Sequence, residues 1–160
     1  MICLIRCYNH ISGIHKECKS MNNMANNIIN HTADVGLIIY GSNMKQLFSN
    51  AAHSLVGLIV EPELISAKKE RYVSVYAENY ESLLIEWLNE LIYLFDAEHI
   101  LFGKFKIIHL SSGQLIAVCY GETVNRFKDS IKREVKAATY HMLKIDKRKR
   151  GYRAQVIFDL

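Results

Sequence analysis

No apolar stretch in this 160-residue chain approaches the roughly 20 residues that a membrane-crossing helix needs. Lys, Glu, His or Asn interrupts every hydrophobic run, so no spanning helix is expected. The glycine patterns of the dinucleotide fold and the P-loop are missing too, and nucleotide binding through either motif is unsupported. Proline occurs once, at Pro62, where it marks a turn. Of four cysteines, Cys3, Cys7 and Cys18 crowd into the N-terminal stretch and Cys119 stands alone in the body. One body cysteine cannot form an internal bridge there, and within Gln114–Tyr120 it reads as a small buried hydrophobe rather than a reactive thiol. A reducing, cytoplasmic compartment fits this usage.

Charge of one sign is scarce as well. The formal net charge is +4, but half of it comes from the first 23 residues, where Arg6, Lys16 and Lys19 face Glu17 alone. The rest is near balance, and its overall field is a poor argument for gripping a phosphate backbone, although a local basic patch is compatible with it. What the chain does have is 50% hydrophobic content against 22% charged, enough for one domain with a sizeable core. Residues 1–26 are expected to be a disordered tail or an upstream translation start, with 27–160 as the folded domain. Cys3, Cys7, His10, His15 and Cys18 could be read as zinc ligands, but their spacing matches no standard finger.

From Asn27 the pattern is regular. Val35–Tyr40 reads as a strand ended by Gly41, and Ser42 is the expected N-cap of a helix with Leu47, Phe48, Ala51, Ala52 and Leu55 on one face. Arg71–Ala77 alternates as a half-buried strand should. Asn79 then caps a second helix, Tyr80 to about Phe95, with a stripe at Leu83, Trp87, Leu88, Leu91 and Phe95. Strands at about 104–110 and 114–121 meet in a hairpin at Ser111–Gly113. A short helical or irregular stretch leads to a final pair, about 136–145 and 152–160, whose tip is Lys147–Gly151. The class is α+β, with helices packed on antiparallel sheets.

Three places could carry chemistry. Asp34 lies between small residues at a strand end, where it serves either as a metal ligand or as the acceptor of an Asx turn. Asp159 closes an apolar strand and either faces solvent or offers a hard oxygen; if the two acids converge, they suit Ca²⁺ or Mg²⁺. In Lys136–His141, alternation puts Lys136, Ala138 and Tyr140 on one face and Ala137, Thr139 and His141 on the other. The lysine reads as an ion-pair partner, a phosphate contact or a solvated residue; the histidine is more often structural than catalytic. No sequence-adjacent Ser or Cys nucleophile accompanies it. The basic cluster Lys144, Lys147, Arg148, Lys149, Arg150 and Arg153 reads as a solvated hairpin tip or a protein-docking patch, with RNA contact the less favoured alternative.

Taken together, His31-Thr-Ala-Asp-Val-Gly36, Leu47–Ala52, Glu81–Leu91, Gly121-Glu122, Val135–His141 and Val156-Ile-Phe-Asp159 resemble the archease family over about residues 28–160. The resemblance implies an α+β fold with a duplicated strand-helix-strand-strand theme. It implies no catalytic residue of its own, but an accessory protein that activates a GTP-dependent RNA ligase of the tRNA-splicing type by promoting its guanylylation and multiple turnover, with RNA reached indirectly through the ligase. It also implies a divalent cation, Ca²⁺ first with Mg²⁺ or Mn²⁺ as alternatives, on Asp34, Asp159 and the backbone of Leu160. Lys136 matches a family lysine near that site, and His31 and His141 join it as contacts to the partner or its active site. The chain departs from the family at Asn79, where many relatives carry an acid, and at Asn125 and Asp129, which replace an Asp and a His. A stand-alone metal-dependent phosphoester hydrolase acting on RNA, using the same acids to activate water, is the alternative of a different class; a general chaperone-like protein is a third.

Overall fold

A computed structural model describes residues 3–7 (as backbone), 34–126 and 128–160. The order is β1 (Cys3–Cys7), β2 (Val35–Gly41), α1 (Met44–Ile59), β3 (Lys69–Tyr76), α2 (Tyr80–Glu98), β4 (Ile100–Leu110), β5 (Gln114–Thr123), β6 (Ala137–Arg148) and β7 (Gly151–Asp159), with 3₁₀ turns at Pro62–Leu64, Val124–Arg126 and Lys128–Ser130. The class is α+β. One sheet runs β1-β2-β7-β6 and the other β3-β5-β4. All pairings are antiparallel except β1 with β2, which is parallel. Cys3–Cys7 form an edge strand beside β2; the rest of 1–26, with His10, His15 and Cys18, lies outside the described residues.

The duplication is nested. Strand β3, helix α2 and the hairpin β4-β5 form one strand-helix-strand-strand unit, inserted between α1 and the hairpin β6-β7, which with β2 make the other. Both units order their strands the same way, with the last strand between the first and the middle one. Both helices start alike: Asn43 Oδ1 accepts from the Gln46 N–H and Asn79 Oδ1 from the Ser82 N–H, each at 2.9 Å. The cap of α1 is thus Asn43, not Ser42, whose backbone N–H instead donates to Gln46 Oε1 at 2.8 Å. Asn43 wins because its extended backbone points the amide oxygen at the third helical N–H.

Each helix packs against strands of both sheets. On α2 the buried arc runs through Leu83, Leu84, Ile85, Trp87, Leu88, Leu91, Ile92, Leu94 and Phe95, more than half of the circumference. Trp87 is fully buried; its indole N–H donates to the Phe48 carbonyl of α1 at 3.2 Å, and its ring meets Phe105 of β4 edge-on at 5.9 Å. One side chain therefore joins both helices to the second sheet. Gly151 opens β7 at φ 113, where a Cβ would stand 2.2 Å from the Gly41 carbonyl oxygen, so neither its conformation nor its surroundings admit a side chain.

Strand β6 breaks the alternation expected of it. Thr139 pairs with Ile157 and Lys144 with Gln155, so five residue steps on β6 span two on β7. Met142, in the left-handed region at φ 53, sits in this bulge, and its carbonyl accepts from Gln155 Nε2 at 3.3 Å. Tyr140 is consequently exposed although it shares nominal parity with buried Ala138. At the tip the strands continue to Arg148 and from Gly151, leaving a two-residue turn of Lys149 and Arg150 rather than the longer one expected.

Trp87→Ala is expected to lower stability by about 4 kcal/mol, since it opens a cavity and frees the link between α1 and β4. Urea unfolding followed by circular dichroism measures it; a loss under about 1 kcal/mol would contradict the joining role.

Candidate functional site

The ladder between β2 and β7 ends at the pair Val35 and Phe158, both buried. One residue beyond this pair come Asp34, just before β2, and Asp159, the last residue of β7, both at half-buried positions. Side chains facing each other across antiparallel strands sit about 5 Å apart at Cβ, and like charges there repel. Among the described residues neither carboxylate has an ion pair or a side-chain hydrogen bond. Two acids 125 residues apart in sequence thus meet at one strand end because β2 and β7 are neighbours in the sheet.

Lys136 reaches the same end. Its N–H donates to the Asp159 carbonyl at 2.9 Å and its Nζ to the Leu160 backbone oxygen at 2.8 Å. The backbone here is anchored from both sides: Val135 is fully buried, and the Leu160 side chain packs against the core. Asn89 of α2 adds a tie, donating from Nδ2 to the Ala138 carbonyl at 3.2 Å and accepting from its N–H at 2.7 Å. Asn89 escaped sequence reasoning, although a half-buried amide among the apolar residues of α2 was the available signal.

The second unit holds the same register position with different chemistry. There the ladder ends at Lys69 and Gly121, and one residue further out are Lys68 and Glu122, which form an ion pair at 3.1 Å. Glu122 is buried, and its Oε1 also accepts from the Ser66 N–H at 2.8 Å. The Ser66 N–H first, then Lys68, hold this carboxyl down at about 2 against the opposing effect of its burial. Where one unit supplies lysine against glutamate, the other sets aspartate against aspartate.

The remaining sequence candidates distribute unevenly. His31 lies outside the described residues. His141 is exposed in the β6 bulge, four residues along the strand from Ala137, the partner of Asp159; that is roughly 13 Å, so the strand does not bring it to the acids. In the basic cluster, Lys144, Arg148 and Arg153 all pair with Asp146, at 3.0, 3.2 and 3.3 Å. Hydrogen bonding from Lys144, then the nearby arginines, lower the Asp146 carboxyl. Lys147, Lys149 and Arg150 make no ion pair among the described residues and form the exposed tip. Cys119 is fully buried and burial pushes its thiol up to about 12, which makes it inert. Asn125 lines a cleft of about 580 Å³ beside Asp96, whose carboxyl is raised by burial and by Glu134.

Comparison with known proteins identifies similar chains. The model of the archease protein family matches residues 27–160. The protein archease of Pyrococcus furiosus is 40% identical over 134 residues, covering 81% of this chain and 94% of that protein; that of Methanosarcina mazei is 35% identical over 136 residues, covering 82% and 93%. A Methanobacterium thermoautotrophicum protein solved in solution superposes with TM-score 0.66 at 33% identity, over 82% of this chain and 96% of that one. The crystal structure of an archease, possible chaperone, from Thermotoga maritima superposes with TM-score 0.59 at 20% identity, over 87% and 100%, and shares the fold.

The acid limb of stability should depend on Glu122. Because its carboxyl ionises at about 2 when folded and near 4.5 otherwise, its contribution is complete above pH 4.5 and fades as pH falls toward 2. Glu122→Gln is expected to lower Tm by roughly 5 °C at pH 7, with the gap to wild type closing between pH 4.5 and 2. Thermal melts at several pH values test this; a gap independent of pH would refute it. Asn89→Leu is expected to cost about 2 kcal/mol by stranding the Ala138 amide and carbonyl. Hydrogen exchange at Ala138 should then accelerate, and unchanged protection would refute the tie.

Proposed function

The chain belongs to the archease family, and from that premise we propose that it is a cation-dependent accessory protein that activates a GTP-dependent RNA ligase of the tRNA-splicing type. On this reading it catalyses no reaction itself; it promotes guanylylation of the ligase and its repeated turnover in the cytoplasm. A reducing compartment agrees with the inert free thiol of Cys119. The role of accessory or chaperone-like partner also agrees with the description of the Thermotoga relative as a possible chaperone.

The observation that carries the proposal is the acid pair at the end of β2 and β7. In the second unit a lysine meets its acid at that register, so the site is neutral without outside help. Among the described residues the Asp34 and Asp159 carboxylates have no such partner, and an external cation would relieve their repulsion. Hard oxygen donors suit Ca²⁺ first, with Mg²⁺ or Mn²⁺ as alternatives. Asp34, Asp159 and the backbone oxygen of Leu160 would hold the ion, Lys136 steadying that oxygen. The donors fit but are few: among the described residues no group of three or more His, Cys, Asp or Glu side chains converges. A bound cation would therefore keep positions open for water or for oxygens of the ligase or GTP, and would supply positive charge at the contact. Lys136, exposed beside it, offers a second positive group to a phosphate.

Purified protein, ligase, GTP and divalent cation, with covalent ligase–guanylate as the readout, provide the test. Asp34→Ala and Asp159→Ala, and deletion of Asp159 and Leu160, are each expected to cut stimulation at least about tenfold, the scale of losing even an outer partner of a metal ligand. Ca²⁺ should raise the Tm of the wild type but not of Asp34→Ala. Wild-type stimulation by either alanine variant would sink the role. Turnover of phosphate esters by the protein alone with Mg²⁺ or Mn²⁺ would instead mark a hydrolase.

A further inference from the structure

The solvent face of the β3-β5-β4 sheet has no part in the site above. Its helix-facing side carries Val73, Val75, Ala117, Cys119 and Phe105, all buried. Alternation sends Tyr72, Ser74 and Tyr76 of β3 the other way, where the two tyrosines are 72% and 67% exposed. Tyr120 lies diagonally across from Tyr72, since Tyr72 pairs with Val118, two residues away on β5. On the far side of β5, Lys104 pairs with Tyr120 and Lys106 with Val118, and Lys104 Nζ stands 5.6 Å from the Tyr120 ring centroid. The face thus holds an aromatic row and, parallel to it, a cationic row, with Glu70 at the end rung as its acid.

We propose that this face binds a short single-stranded segment of RNA, its bases stacked on Tyr72, Tyr76 and Tyr120 and its phosphates running along Lys104 and Lys106. Stacking accepts any base, and rings displayed on a sheet face are what such a platform needs; the Tyr76 hydroxyl accepts from Gln114 Nε2 at 2.8 Å, which steadies that ring. Lys104 and Lys106, on the edge strand β4, set a cationic margin beside the rings that complements a phosphate chain. Ser74, between the two tyrosines of β3, supplies a hydroxyl for hydrogen bonding to a 2′-OH. Sequence composition concealed this arrangement because near-neutral net charge says nothing about which residues share a face. The protein would then touch RNA directly rather than only through a ligase.

Fluorescence anisotropy of a labelled ten-nucleotide uridine RNA, between 50 and 200 mM salt and without ligase or divalent cation, tests the proposal independently of the acid pair. Tyr72→Ala and Tyr76→Ala are each expected to weaken binding roughly tenfold or more, with Tyr72→Phe restoring it. Lys104→Ala combined with Lys106→Ala should reduce the log–log salt slope by about 1.4. Circular dichroism melts verify that the variants fold. Three results would overturn the proposal: no RNA binding by the wild type, loss on Lys149→Ala with Arg150→Ala but not on the tyrosine variants, or equal affinity for a labelled ten-nucleotide deoxyuridine DNA, which lacks the 2′-OH groups.

Discussion

More than half of the circumference of α2 is apolar, from Leu83 to Phe95, and burying so wide an arc needs partners on more than one side. One sheet face cannot provide them, so the helix must share its surface between two sheets, and α1 does the same. Trp87 concentrates this constraint, since it touches α1 through the Phe48 carbonyl and β4 through Phe105. With the helices held between the inner faces, one side of each sheet is committed to the core. Everything available for recognition is then at strand ends, hairpin tips and outer faces.

The nested duplication shows how that scaffold can be used twice with different outcomes. Both units place two side chains opposite each other one residue beyond the ladder of their first and last strands. In one, Lys68 and Glu122 satisfy each other, and the buried carboxylate is further held by the Ser66 N–H. That pair closes the strand end and contributes to stability. In the other, Asp34 and Asp159 leave like charges facing, which is unfavourable for the isolated fold and useful only if something positive arrives. The two units thus differ at this register position: one carries an acid and its cation, the other two acids.

Charge elsewhere follows the same economy. Three of the six cations of the β6-β7 tip gather on Asp146, which moderates a cluster that sequence spacing presents as uniformly basic. Lys104 and Lys106 lie instead beside tyrosines on an open sheet, with Glu70 on the Lys104 rung as the acid of that face. The β6 bulge exposes Tyr140 and Met142 and twists an edge strand away from regular pairing, which protects the sheet against edge-to-edge association.

Two helices, one following Ser42 to near Gly57 and one from Tyr80 to about Phe95, the Asn79 cap, the two hairpins and the inertness of Cys119 were legible in the sequence, because burial periodicity and turn chemistry are local properties of a dozen residues. Ser42 was a plausible cap and failed, since two neighbouring candidates differ only in backbone direction. The resemblance carried by the His31–Gly36 motif and the C-terminal segment pointed to Asp34 and Asp159, yet spacing alone could not distinguish a ligand from an Asx turn. Only tertiary structure decided that these acids lie at the same strand end, that Lys68 and Glu122 occupy the matching place, and that Asn89 ties β6 to α2. The reason is that strand register is fixed by hydrogen-bond ladders between segments far apart in the chain, and a one-residue shift would send every one of these side chains to the opposite face.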